Sequence, residues 1–309
     1  MDKLPEQTNP APFTLSSDPV QPGKQEPRLM DRVRTRIRTK HYSHSTEHTY
    51  CYWILRYILF HGKRHPKDMG EKEIEAFLNH LAEGLGLSAS SQNQAFNAVL
   101  FLYREILGIE LKEQINAVRA KRRYRVPVVL TVTEMHRVFS GMTGMPQLMS
   151  KLMYGTGMRI SECLNLRVKD IDFAVKRVMI YDSKSQQDRA VMLPVLLVEA
   201  LQEQILATRG IHEQDLRSGY GKVVLPYALH RKYPAATMEF GWQFLFPAKH
   251  LFTNRKTGDR GRWHTDDGVL QRAIRDAARA AGIYKHVSTH CFRHSFATHR
   301  QHQVGRDDT

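Results

Sequence analysis

Two short stretches of the chain combine residue types that could bind and polarise a phosphate. The first is Gly155-Thr156-Gly157-Met158-Arg159. Glycines allow backbone angles that other residues adopt only at a cost, so Arg159 is expected at a helix entrance, just after a tight turn. A guanidinium held by a rigid turn can bind two oxygens of one phosphate, although a packed turn with a surface arginine is the alternative. The following apolar positions predict a short helix: Ile160, Cys163, Leu164 and Leu166.

The second stretch, residues 289–299, contains three histidines and an arginine. On a helix, His290, Arg293, His294 and Ala297 would share one face. An imidazole beside a guanidinium can donate hydrogen bonds to a phosphate and stabilise its charge as a fifth oxygen arrives. Zinc binding by His290 and His294 is one alternative, but no Glu follows the first His and no third ligand is evident, so we expect no metal. Packing is the other alternative, and for His294 alone it is the preferred interpretation.

The segments around these stretches predict the elements that position them. Thr131 and Glu134 have capping-box spacing, and Leu148, Leu152 and Met153 continue a helical core into the glycine turn. Two runs with a period of two, residues 178–181 and 190–193, predict paired strands of a small sheet. Lys184 lies in the connecting loop, where it could reach a reacting phosphate or a minor groove, or could simply be solvated.

The rest of the second half contains two further helices and an interrupted region. Residues 195–208 and 266–281 predict amphipathic helices, the latter closed by Gly282. Between them, residues 209–262 are punctuated by glycine and proline but are too aromatic to be a plain linker. We expect an ordered insertion that packs on a partner or on flipped-out bases.

The first half predicts a disordered tail followed by a helical domain. Residues 1–27 are rich in proline and poor in large apolar side chains. Residues 28–112 show helical periodicity throughout, which predicts four helices with an aromatic stripe in the core. Their polar faces carry many basic residues suited to phosphates along a duplex, and residues 113–127 predict a basic linker. The basic residues of those faces are Arg32, Arg34, Arg36, Arg38, Lys40, Lys63 and Arg64.

Composition agrees with a nucleic-acid partner. The 309 residues carry a formal net charge of +15, which indicates attraction to a polyanion unless the excess is only solvated surface. Three distant cysteines, Cys51, Cys163 and Cys291, indicate neither a disulfide scaffold nor a zinc ribbon and fit a reducing cytoplasm. No apolar run is long enough to span a bilayer, so no membrane association is expected.

Taken in order, the two stretches and Lys184 resemble the tyrosine recombinases, DNA strand-exchange enzymes of the phage integrase type. Within that family the chain looks most like an integron integrase, because of residues 225–234 in the insertion and the phrase from Arg167 to Phe173. Xer-type recombinases share the two boxes but lack this insertion. The resemblance implies a mainly α fold with a small β-sheet (α+β): a helical SAM-like core-binding domain, then a mixed catalytic domain over residues 128–309.

The resemblance also implies a mechanism and partners. Arg159 and Arg293 would clamp the scissile phosphate, His290 would assist proton transfer, and Lys184 would protonate the leaving 5′ oxygen. No cofactor is implied. The partners would be duplex DNA and folded single-stranded DNA of the attI and attC type, bound by several copies of the chain in a bacterial cytoplasm, with the insertion holding extrahelical bases.

Two departures from the family pattern qualify these expectations. Ser185, Gln186 and Gln187 stand where the family usually has glycines and a second lysine. The family also continues past residue 299 with a Leu-Gly-His element and the nucleophilic tyrosine, whereas the last tyrosine here is Tyr284. We therefore expect a catalytic domain shortened at its C-terminus, as by a frameshift, that lacks its nucleophile.

Three interpretations remain open at this point. The chain could be a recombinase by descent that is defective or uses a tyrosine from another subunit. It could be a DNA-binding module that occupies recombination sites without cleaving them. It could be a metal-dependent nuclease or hydrolase that uses the histidines.

Overall fold

The computed structural model divides the chain into two compact units, Met1–Tyr124 and Arg125–Thr309. It describes residues 27–111, 126–181, 188–226, 229–253, 258 and 260–307, and of residues 302–307 only the backbone. Apart from Pro27, the predicted tail lies outside the described residues, as does almost all of the predicted linker, residues 113–127. Each unit has an apolar core of its own.

Within residues 27–111, the first unit consists of four α-helices, as its periodicity predicts. They are α1 (Leu29–Thr39), α2 (His44–Phe60), α3 (Glu71–Asn79) and α4 (Ala89–Phe101). A π-helical turn continues α3 to Gly84, and another continues α4 to Leu107. The aromatic stripe of α2 lies in the core: Trp53 and Tyr57 are buried, and the hydroxyl of Tyr57 is 2.8 Å from that of Tyr103. The prediction of a core stripe is confirmed.

The described part of the second unit contains seven α-helices and five strands. The helices are α5 (Val132–Ser140), α6 (Gly144–Thr156), α7 (Ile160–Leu164), α8 (Val198–Arg217), α9 (Leu229–Lys232), α10 (Asp267–Ala280) and α11 (Thr289–Asp307). The strands are β1 (Ile171–Asp172), β2 (Arg177–Ile180), β3 (Arg189–Met192), β4 (Pro247–Thr253) and β5 (Arg260–His264). None of the described helices is long and apolar enough to cross a bilayer. The mainly helical fold with small sheets agrees with the predicted fold class.

Helix starts in this unit follow the local chemistry of the sequence. The side chain of Thr131 accepts a hydrogen bond from the N–H of Glu134 at 3.2 Å, and the Glu134 carboxylate accepts one from the N–H of Thr131 at 2.8 Å. This is the predicted capping box, which satisfies two N–H groups that a helix start otherwise leaves unpaired. Asp266 caps α10 with a single bond, because its side chain accepts a hydrogen bond from the N–H of Gly268 at 2.8 Å.

The small sheet has the order β1–β2–β3 with antiparallel neighbours. The predicted pairing of the second and third strands is confirmed, and its register places Ile180 opposite Arg189. The first strand was not predicted, because its two residues are too few to show an alternating pattern.

The predicted insertion, residues 209–262, is more regular than its glycines and prolines indicate. Helix α8 continues past its predicted end at Thr208 to Arg217, and β4 pairs with β5 in an antiparallel hairpin. Asp215 on α8 and Arg262 on β5 form a two-bond ion pair at 2.6 and 2.7 Å. This pair joins residues far apart in the chain, so no local pattern reveals it. The predicted end of α8 at Thr208 is therefore wrong.

Candidate active site

Two distant segments pack closely against the glycine turn at the end of α6. A Cβ atom on Gly155 would lie 2.5 Å from Cγ of Pro194, which follows β3, and one on Gly157 would lie 2.6 Å from Cδ1 of Phe296 on α11. Gly157 also has a φ of +64°, in the left-handed region that favours glycine. The two glycines thus let the end of the sheet and α11 approach the turn that carries Arg159.

Arg159 lies immediately before α7 and keeps 30% of its side chain exposed. Its backbone N–H donates to Oε2 of Glu162 at 2.8 Å, and its Nη1 donates to Oε1 of the same carboxylate at 2.8 Å. Both ends of the arginine are therefore held, which gives the rigid arginine at a helix entrance that the motif indicates.

Arg293, on α11, lies against the same turn. Its Nη1 donates a hydrogen bond to the carbonyl oxygen of Gly157 at 2.7 Å. Burial lowers the pKa of Arg293, and the positive charge of Arg159 lowers it further. The structure therefore brings the two predicted arginines into one electrostatic environment, although they are far apart in the chain.

Glu162 links Arg159 to a third arginine. Only 4% of the Glu162 side chain is exposed, and Arg189 at the start of β3 donates to Oε1 at 3.0 Å and to Oε2 at 2.6 Å. Burial alone would raise the pKa of Glu162, but the hydrogen bonds from Arg189 and Arg159 outweigh it and hold the pKa at about 2. No local sequence pattern indicates this pair, because Arg189 is 27 positions from Glu162 and joins it only in the fold.

The remaining candidate residues have different outcomes. His290 lies in the first turn of α11 with an exposed side chain, on the same helix as Arg293. Lys184 lies outside the described residues, in the connection between the paired residues Ile180 and Arg189. His294 is exposed, so the prediction that it packs in the core is wrong; the buried face of α11 is instead formed by residues such as Phe292.

Two hydrogen bonds hold α11 in place. The buried hydroxyl of Ser295 accepts a bond from the N–H of Leu130 at 2.9 Å. The hydroxyl of Tyr154 on α6 is 2.7 Å from Nδ1 of His299. Since both contacts are on the helix that carries Arg293, they help to fix where its guanidinium points.

No metal site accompanies the histidines in the part of the chain that the structure describes. There, no group of three or more His, Cys, Asp or Glu side chains is placed to hold a metal ion. The proximity of Arg159 and Arg293 suits direct binding of an anion by guanidinium groups.

A cavity of about 590 Å³ borders Glu162 in the second unit. The Nζ atom of Lys169 lies 4.2 Å from the ring centroid of Trp242, and Cζ of Arg167 lies 4.4 Å from that of Phe244. Half of the aromatic wall, Trp242 and Phe244, belongs to residues 209–262. A cavity of this size with several rings and a few polar groups can bind a planar organic group. The aromatic residues of the wall are Tyr181, Trp242, Phe244 and Trp263.

The basic residues of α1 do not form one row facing a duplex. Arg38 pairs with Glu47 at 2.7 Å, whereas Arg36 pairs with Glu105 at 2.9 Å and Lys40 also pairs with Glu105. Residues two positions apart on a helix point about 200° apart, so the arginines at 32, 34, 36 and 38 fall on two faces. Arg36 and Arg38 still keep 45% and 57% of their side chains exposed.

Two family models match the chain. The model of the phage integrase N-terminal SAM-like domain matches residues 29–113, and the model of the phage integrase family matches residues 129–304. The chain belongs to the phage integrase family. Membership makes it a tyrosine recombinase, an enzyme class that breaks and rejoins DNA strands.

Individual relatives agree with this family. The chain is 41% identical over 271 residues to an "Integrase/recombinase" of Escherichia coli, an alignment that covers 88% of this chain and 80% of the relative. A protein of Pseudomonas aeruginosa with the same description matches equally. A "Tyrosine recombinase XerD" of Mycobacterium leprae is 28% identical over 270 residues, covering 80% of this chain and 75% of the relative.

Solved structures of integrases share the fold of this family member. The Tn1549 transposon integrase aligns with a TM-score of 0.58 at 17% identity, covering 90% of this chain and 87% of that one. A lambda integrase fragment aligns with a TM-score of 0.56 at 17% identity, covering 89% and 86%. At such identities the likeness concerns the fold alone.

Proposed function

We propose that this protein is an integron integrase, a site-specific recombinase that integrates and excises gene cassettes at attI and attC sites. The observation that supports the recombinase chemistry is the hydrogen bond from Arg293 to Gly157, two positions before Arg159, whereas the integron assignment rests on the resemblance of residues 225–234 and 167–173. In this proposal residues 28–112 bind DNA, residues 113–127 link the domains, and residues 128–309 form the catalytic domain with its insertion at 209–262.

The proposed chemistry transfers the scissile phosphate of DNA from the 5′ oxygen to a tyrosine oxygen and back to a 5′ oxygen. The tyrosine oxygen attacks the scissile phosphorus, the bond to the 5′ oxygen breaks, and a 3′-phosphotyrosine forms. Arg159 and Arg293 neutralise the non-bridging oxygens, His290 assists the proton transfer, and Lys184 delivers a proton to the leaving 5′ oxygen. Because the phosphotyrosine conserves the energy of the broken bond, this chemistry uses neither a metal nor a nucleotide.

We propose that none of the 12 tyrosines in these 309 residues acts as the nucleophile of this scheme. The last tyrosine is Tyr284, which is fully exposed and precedes α11. We therefore propose that the polypeptide of these 309 residues occupies recombination sites without becoming covalently attached. This observation favours the second candidate, a DNA-binding module, for this polypeptide by itself, and cleavage would require a tyrosine from another chain.

The insertion supplies the proposed preference for a folded single strand. An extrahelical base is planar and apolar on its faces, and base stacking on aromatic side chains contributes roughly 1–3 kcal/mol per base. The cavity beside Glu162 offers Trp242 and Phe244, both within residues 209–262, and Trp263, which directly follows that range. We assign this cavity to an extrahelical base of an attC hairpin.

The proposed assembly places several copies of the chain on DNA. The solved relatives include a lambda integrase dimer bound to a core site and the Tn1549 integrase in complex with transposon right end DNA. The net charge of +15 supports the same kind of partner for this protein.

An attI duplex tests the proposal directly. We expect the polypeptide to protect attI in a footprint and to bind it more tightly than an unrelated duplex. A nicked suicide attI substrate should give no covalent adduct on a denaturing gel. Equal binding to both duplexes would contradict the assignment to site-specific recombination. A covalent adduct would contradict the proposal that this polypeptide binds without covalent attachment.

A further inference from the structure

Glu162 accepts hydrogen bonds from two arginines that come from different elements. Arg159 precedes α7 on the glycine turn, whereas Arg189 begins β3. Arg189 uses both terminal nitrogens, one for each carboxylate oxygen, at 3.0 and 2.6 Å. Arg159 uses its backbone N–H and one terminal nitrogen, each at 2.8 Å.

These four bonds fill the acceptor positions of a buried carboxylate. An ionised carboxylate offers about four lone-pair sites, and a buried one is stable only when its charge is paired. Two positive charges therefore share one negative charge, and the group of Arg159, Arg189 and Glu162 carries a net charge of +1. The charge of Arg189 also lowers the pKa of Arg293, so all three guanidinium groups influence one another.

We propose that Arg189 is a positioning residue that shares the charge of Glu162 and so leaves Arg159 available to bind the scissile phosphate, an inference that rests on the proposed function. Without Arg189, the buried Glu162 has Arg159 as its remaining guanidinium partner. The carboxylate then neutralises Arg159 and competes with the phosphate for it, because a buried carboxylate retains its last counter-ion strongly. Arg189 acts through Glu162 and not by contact with DNA.

The two parallel bonds make arginine, rather than any cation, the residue that this role requires. Lysine has a single ammonium group and cannot bond both carboxylate oxygens side by side. Arg189→Lys should therefore retain the positive charge but fix the orientation of the Glu162 carboxylate only in part. The pair also ties the end of the β2–β3 connection, which carries Lys184 in the sequence, to the start of α7.

Fluorescence anisotropy with an attI duplex at about 0.15 M salt tests the inference. We expect R189Q to weaken binding about tenfold, as R159Q does, because both reduce the positive charge offered to one phosphate. The double variant E162Q/R189Q should bind within about threefold of the wild type, since removing Glu162 releases Arg159 again. R177Q is the matched control, because it removes one positive charge from an exposed position on the neighbouring strand β2.

The outcomes separate this inference from the proposed function. Unchanged affinity in R159Q, or no preference for attI in the wild type, contradicts both. If R159Q weakens binding as expected but R189Q binds attI as tightly as R177Q does, only the role of Arg189 is contradicted, and the proposed function is not. A double variant no better than R189Q also contradicts it, because a residue that contacts DNA directly cannot be rescued by E162Q. If R189Q does not fold, R189M and E162Q/R189M, which also remove the positive charge, provide the same comparison.

Discussion

At the scale of single residues, the site depends on how two guanidinium groups, those of Arg159 and Arg189, share the carboxylate of Glu162. Glu162 is buried, yet its pKa is held at about 2 by hydrogen bonds from Arg189 and Arg159 that outweigh the effect of burial. It therefore remains ionised wherever DNA binding is measured. The negative charge of Glu162 orients Arg159 without fully neutralising its positive charge, because Arg189 pairs with the same carboxylate.

The first prediction concerns acid stability. A carboxyl whose folded pKa lies below its unfolded value contributes stability that is fully present above about 4.5 and is lost as the pH falls through about 2. Between about pH 6 and about pH 3, the wild type should lose roughly 2 kcal/mol more of its unfolding free energy than E162Q. Urea unfolding at the two pH values measures the difference.

The comparison isolates Glu162, because other carboxyl groups with lowered pKa values, such as Glu47 and Glu134, are unchanged in the variant. Parallel loss of stability in the two proteins would show that the ion pairs of Glu162 do not stabilise the fold.

At the scale of elements, the glycine turn positions Arg159 and α11 positions Arg293. The turn could be predicted from Gly155 and Gly157, because glycine adopts backbone angles that other residues adopt only at a cost. Its close neighbours, Pro194 and Phe296, could not be predicted, since they come from distant parts of the chain.

Glycine at position 157 should be essential to this packing. Gly157→Ala places a side chain on a residue with φ of +64° and 2.6 Å from Phe296, so we expect a loss of about 2–4 kcal/mol in unfolding free energy. Urea unfolding followed by circular dichroism measures it.

Gly210→Ala is the matched control. Gly210 lies within α8, and a Cβ there would meet nothing within 4 Å, so the change should stabilise the protein by about 0.5–1 kcal/mol. A G157A variant as stable as G210A would contradict the described packing of α11 on the turn.

The anchor of α11 on the start of the second unit gives another prediction. Ser295→Ala leaves the buried N–H of Leu130 without its partner at 2.9 Å, so unfolding free energy should fall by about 1–3 kcal/mol. Thr298→Ala removes an exposed hydroxyl on the same helix and should change stability by less than about 0.5 kcal/mol. Equal effects of the two changes would contradict a structural role for the Ser295 hydroxyl.

Prediction from sequence succeeded for elements whose pattern is local and failed where partners are distant. Val33 and Ile37 reveal α1 by their spacing, and Thr131 with Glu134 reveals the start of α5. The hairpin β4–β5 is held partly by the pair of Arg262 with Asp215, and its register is interrupted near Leu251, so no regular alternation marks it. In the site, the motifs identify Arg159 and Arg293, but the role of Arg189 emerges only from three-dimensional contacts.

At the scale of the whole molecule, the excess of basic residues determines how the protein meets DNA. A net charge of +15 attracts a duplex over a distance, but ion pairs such as Arg38 with Glu47 use part of that charge internally. We therefore expect the paired arginines of α1 to contribute less to binding than their number indicates.

The salt dependence of attI binding measures this long-range attraction. With six or more phosphate contacts, affinity should fall by about 10³ or more between about 0.05 and 0.2 M salt, because bound counterions are released from the duplex. An affinity nearly independent of salt would show that the charge excess is solvated surface rather than a DNA-binding face.

The central claim is that Arg159 and Arg293 bind one phosphate together. A crystal structure of the polypeptide on an attI duplex tests it most directly. We predict that a single phosphate has oxygens within about 2.7–3.2 Å of both guanidinium groups. Guanidinium groups that contact two different phosphates, or none, would contradict the claim.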